Sequence, residues 1–177
     1  PDVGSARVYP AGHQPMCYQD KYWITFNGEI YNYVELKKEL ELTGKSFRTK
    51  SDTEVILAAY DTWGLDAFSH FNGMWAIVIY DIEKKQLILC RDRFGEKPLY
   101  YVNNGTYFAA GSEIKQVISV LPAVKANIPR LLESILVQID KYGTETVFDN
   151  VKAIEPGTFG IYDLTSHTFK TDTYYTL

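Results

Sequence analysis

The 177 residues suit one domain with a substantial core, and a hydrophobic share of 46% with 23% charged residues is ordinary for a globular chain. A net charge of −4 argues against a nucleic-acid-binding face, and no run of roughly 18 apolar residues is present to cross a membrane as a helix. Two cysteines cannot build a disulfide framework, and Pro1-Asp2 is not the start of a basic-plus-apolar leader, so a reduced, cytoplasmic setting is expected.

The first twenty residues, rich in Gly and Pro, read as loop. "KYWITF" (21–26) reads as a strand, helped by an aromatic-rich composition with 14 Tyr and 9 Phe. "NYVELKKELELTG" carries helix signals at both ends: Asn32 as cap with Glu35 in the capping-box position, and Gly44 as stop. "SFRTK" is expected as a short strand. "SDTEVILAAYDTWG" repeats the helix grammar with Ser51, Glu54 and Gly64, and Val55, Ile56, Ala59 and Tyr60 form one apolar face.

From Met74 the period becomes two. "MWAIVIYD", a Lys-Lys turn and "QLILCRD" make a hairpin whose almost wholly apolar strands are expected to be covered on both faces. "PLYYV" and "TYFAAG" make a second hairpin around Asn103-Asn104-Gly105. "SEIKQVISVL" and "IPRLLESILVQ" read as helices, and two closing strands follow, with turns at Pro156-Gly157 and Thr165-Ser166. The sum is one α+β unit of antiparallel sheets covered by helices.

Three stretches can carry chemistry. Asn27-Gly28 is either a hairpin turn or a sharp strand-to-helix corner. At such a corner the Gly28 N–H and the Asn27 side-chain NH₂ would form a pair of donors suited to an oxyanion. Asp52 is either a first-turn charge beside its cap or a carboxylate that grips a cationic group, and Glu29 has the same two readings. "RDRFGEKPLYY" (91–101) reads as a loop salt-bridge network, or as a docking surface for another domain. Cys90 sits in the apolar run "QLILC" and Cys17 has no activating neighbour, so neither stands out as a nucleophile. His13, His70 and His167 lack metal-ligand spacing.

Together "FNGEIYNY", "SDTEV", "FNGMWAIVIYD", "RDRFGEKPLYY", "GSEIK" and "VFDNVKAIEPGTFGIYD" resemble the N-terminal glutaminase domain of glutamine-hydrolysing asparagine synthetases, over nearly the whole chain from Gly12 to Tyr175. The resemblance implies an N-terminal-nucleophile hydrolase fold, a four-layer α/β/β/α sandwich with two stacked antiparallel sheets. In that family an N-terminal cysteine attacks the glutamine carboxamide, its own α-amino group serves as base, and a thioester is hydrolysed to glutamate. Carried over, Asn27 and Gly28 match the oxyanion-hole positions, and Glu29 and Asp52 match the residues around the substrate α-amino group. No cofactor is implied for this domain. ATP and Mg²⁺ belong to the family's separate synthetase domain, which activates aspartate and receives the ammonia, and the family often forms homodimers.

Residues 1–177 thus read as a glutaminase domain without its N-terminal nucleophile segment and without the synthetase domain. The family's Cys-Gly start is not among them, and Pro1-Asp2 resembles the end of an Arg-Gly-Pro-Asp element from inside the domain. The arginine motif that clamps the substrate carboxylate is not recognisable, with Arg7 as a remnant of it. The alternatives are a non-catalytic binding module of the same fold, or the glutaminase domain of an amidotransferase with another acceptor.

Overall fold

The computed structural model describes residues 13–137 and 143–176. In chain order, β1 (Met16–Tyr18) and β2 (Tyr22–Ile30) precede α1 (Tyr33–Leu42), α2 (Asp52–Trp63) and the short α3 (Ala67–His70). β3 (Gly73–Asp81) and β4 (Gln86–Arg91) form one hairpin, and β5 (Tyr100–Asn103) and β6 (Phe108–Gly111) another. After α4 (Ile114–Ile118) and α5 (Ile128–Val137) come β7 (Val151–Ala153), β8 (Thr158–Asp163) and β9 (Thr168–Thr173).

The strands form two antiparallel sheets, ordered β1-β2-β3-β4-β8-β9 and β6-β5-β7. Alternation along β3 and β4 shows how they stack. Trp75, Ile77, Ile79, Ile88 and Cys90 pack with Leu36 and Leu40 of α1 and the apolar side of α2. Their neighbours Ala76, Val78, Leu87 and Leu89 meet Leu99, Ile154 and Phe108 on the opposite face. A third cluster, Val102, Val117 and Val151, lies between the smaller sheet and α4. The layers are therefore helices, large sheet, small sheet, helix. That is the four-layer sandwich expected, and the central strands are apolar because both of their faces are covered. Each fully buried Leu or Ile contributes roughly 1.5–3 kcal/mol to this arrangement.

Met16–Tyr18, expected as loop, forms β1 because it pairs with Tyr22–Ile24 of β2, and two further local expectations fail for identifiable reasons. "SFRTK" is not a strand. Its backbone is taken by the carboxylate of Glu54, which accepts from Arg48 N (2.8 Å), Thr49 N (2.6 Å) and the Thr49 hydroxyl (2.6 Å). Asn32 precedes α1 but does not cap it with its side chain. Its amide instead clips the loop before β3, donating to His70 O (3.0 Å) and accepting from Asn72 N (2.9 Å). Ser51 does cap α2, accepting from Thr53 N at 3.0 Å.

Candidate functional site

Neither a hairpin turn nor a strand-to-helix corner is formed by Asn27-Gly28. β2 continues through both residues to Ile30, pairing Asn27 with Ala76, Gly28 with Trp75 and Glu29 with Met74. Two glycines allow that. Gly28 has φ +152°, and a Cβ on it would collide with the Met74 carbonyl oxygen; Gly73 has φ +158°, and a Cβ there would collide with the Glu29 carbonyl oxygen. The strands approach too closely at this point for side chains on either residue.

The register fixes where the Gly28 N–H goes. Trp75, its partner, has both backbone groups engaged on the β4 side: its N–H donates to Asp92 Oδ2 (3.2 Å) and its carbonyl accepts from Asp92 N (3.0 Å). Tyr31 N donates to Asn72 O (2.7 Å), which places the odd-numbered residues of β2 on the β3 side of the ladder. Phe26, Gly28 and Ile30 therefore direct their N–H groups to the outer edge. Phe26 N donates there to Gln14 Oε1 (2.5 Å), and Ile30 N to Asp52 Oδ2 (3.2 Å). Between them, the Gly28 N–H meets no acceptor among the described residues. β1 covers this edge only as far as Ile24.

All four candidate residues gather at this end of β2. Asn27 and Glu29 are exposed and, by alternation, share the face turned away from α1 and α2. Asn27 lines a cavity of about 400 Å³ between the sheets, with Gln14, Thr25, Ala76, Ser112 and Gln116. Asp52 begins α2, and its carboxylate reaches the strand at Ile30, directly after Glu29. Burial raises the Asp52 pKa, and the Ile30 N–H offsets this only in part. The Glu54 clasp on residues 48–49 fixes the segment that leads into Asp52. Arg7 lies outside the described residues.

Both cysteines are placed as expected for bystanders. Cys90 is fully buried, its Sγ accepts from Trp75 Nε1 (3.4 Å), and burial pushes its pKa up. Cys17 lies on β1, with Sγ 3.9 Å from Asp20 Oδ1. Among the described residues no group of three or more His, Cys, Asp or Glu is placed to hold a metal, and no helix is long and apolar enough to cross a membrane.

Residues 6–175 match the model of the "Glutamine amidotransferase domain" family. The chain belongs to that family. It is 42% identical over 164 residues to "Asparagine synthetase [glutamine-hydrolyzing] 1" of Bacillus subtilis, covering 90% of this chain and 26% of that protein. It is 46% identical over 125 residues to "Putative asparagine synthetase [glutamine-hydrolyzing] 2" of Methanocaldococcus jannaschii, covering 62% and 24%. The amidotransferase domain thus spans about a quarter of the length of these relatives. In fold it is similar to the glutamine phosphoribosylpyrophosphate amidotransferase of B. subtilis, with a TM-score of 0.65 at 22% identity over 93% of this chain and 32% of that one.

The structure of this amidotransferase domain also changes how residues 91–97 read. Among the described residues no ion pair joins Arg91, Asp92, Arg93, Glu96 and Lys97. The Arg91 guanidinium donates to three carbonyls, Lys97 O (2.9 Å), Ile154 O (2.8 Å) and Gly95 O (2.9 Å). Asp92, fully buried, accepts from four N–H groups: those of Trp75, Phe94, Glu96 and Lys97, at 2.9–3.2 Å. Sequence reasoning gave no site role to Gln14. Its contact with Phe26 of β2 spans twelve residues, and no local pattern reveals it.

Proposed function

We propose that this domain hydrolyses glutamine to glutamate and ammonia, with the reacting carboxamide at the outer edge of β2. The observation that supports this reading is the outward N–H of Gly28, held between two edge amides that side chains already occupy. The attacking thiol is that of the family's N-terminal cysteine, supplied from outside residues 1–177. It adds to the glutamine δ-carbon, and the carbonyl electron pair moves onto oxygen. Gly28 N–H and Asn27 Nδ2 donate to that oxyanion. The α-amino group of the cysteine takes the thiol proton and returns it to the leaving nitrogen, so that ammonia departs and a thioester remains. Water then cleaves the thioester to glutamate.

Asp52 and Glu29 hold the α-ammonium group. Gly28 and Ile30 are two residues apart, about 7 Å along a strand. One extended glutamine can therefore reach the Gly28 N–H at one end and the Asp52 carboxylate at the other. The ammonia amidates an ATP-activated aspartate in a separate synthetase domain, and ATP and Mg²⁺ act there rather than here. The test is glutamate release from glutamine by the full-length protein. Turnover with aspartate-dependent asparagine formation supports the proposal. Glutamine binding without glutamate release would instead identify a binding module.

A further inference from the structure

We infer that Gln14 is a positioning residue for the oxyanion donors. This rests on the glutaminase reading and adds to it a residue outside the proposed oxyanion and ammonium contacts. A glycine does not set the direction of its own N–H, because its backbone ranges over conformations closed to other residues. At Gly28 that direction must come from its neighbours. On the inner edge, the ladder to β3 fixes Asn27 and Glu29. On the outer edge β1 stops opposite Ile24, and two side chains take over. Asp52 holds Ile30 N, and Gln14 holds Phe26 N at 2.5 Å.

The Gln14 contact is oriented without ambiguity, since a backbone N–H must face the carbonyl oxygen of the carboxamide and not its NH₂. Gln14 also lines the inter-sheet cavity alongside Asn27, so one side chain holds the residue before Asn27 and shares a cavity with it. Removing the acceptor frees Phe26 N–H to water and lets the pleat on the N-terminal side of Gly28 turn. Both donors then move together relative to the substrate carbonyl, while the α-ammonium end stays anchored at Asp52.

The experiment compares Gln14→Met, which keeps the length and loses the acceptor, with Gln14→Glu, which keeps an acceptor oxygen. In the full-length protein Gln14→Met should lower kcat for glutamate release about tenfold with KM within about twofold, the scale of one misaligned hydrogen bond. Gln14→Glu should recover most of that loss. Amide hydrogen exchange gives the second readout: Phe26 and Gly28 should exchange faster in Gln14→Met, and Phe26 should be protected again in Gln14→Glu. A purely structural role would lower the unfolding midpoint and leave the kcat of the folded fraction intact. Wild-type kcat or unchanged Phe26 exchange in Gln14→Met overturns the inference. A wild-type protein that releases no glutamate overturns the glutaminase reading instead, and the exchange comparison still decides the role of Gln14.

Discussion

The loop around Asp92 and the outer edge of β2 are both polar corners of the large sheet, yet they dispose of their hydrogen-bonding groups in opposite ways. At Asp92 the carboxylate takes four backbone N–H groups, and Arg91 beside it satisfies three carbonyls. Both side chains spend their hydrogen-bonding groups on backbone. At β2 the side chains of Gln14 and Asp52 stop short of Gly28, which stays open between them. A saturated polar network fixes a shape, whereas an oriented and unsaturated donor can recognise something.

Substitutions should separate the two corners cleanly. Asp92→Leu strands four N–H groups, at roughly 1–3 kcal/mol for each one that stays buried. It should cost about 4 kcal/mol or more in chemical denaturation, at the far end of single-residue effects. Gly28→Ala forces a Cβ onto the Met74 carbonyl and should lose about 2–3 kcal/mol together with glutaminase activity. A variant of normal stability would mean that the strands are not as close as described.

Asp52→Asn should leave the fold nearly as stable and raise KM for glutamine about tenfold, since one charge-assisted contact to the ammonium group is lost. The pH profile sharpens this. Burial holds the Asp52 pKa above its usual value of about 3.9, so the folded chain binds more proton than the unfolded one between those two values. This group therefore weakens the free fold as pH rises through that window. In the proposed role the same ionisation creates the partner of the substrate ammonium group, so KM should climb as pH falls through the raised pKa, and Asp52→Asn should lack that limb. Glu29→Gln should have the smallest effect, up to about fivefold in KM, because an exposed charge is well screened.

Much of the fold was legible along the chain because its signals are local. Ser51 and Gly64 bracket α2, and the alternating apolar runs of β3 and β4 announced a sheet covered on both sides. What was hidden depends on distant partners. Glu54 looked like part of a helix start, but its carboxylate dissolves the strand expected at residues 46–50. Asn27-Gly28 looked like a turn because that dipeptide favours one. Only the pairing with Gly73–Ala76, some 45 residues away, holds it extended. The candidate site residues were named from family resemblance, whereas the direction of the Gly28 N–H needed the register. The charged run 91–97 misled in the other direction, since Arg91, Asp92 and Arg93 bind backbone rather than one another.

In the proposed reaction the open edge of β2 holds the carboxamide as it becomes an oxyanion. The most direct measurement is kcat for glutamate release by Asn27→Ala in the full-length protein, taken beside its unfolding free energy. A drop of about 10²–10³ in kcat, with KM changed little and stability within about 0.5 kcal/mol of wild type, is the predicted result. Unchanged turnover in a folded Asn27→Ala protein would contradict it.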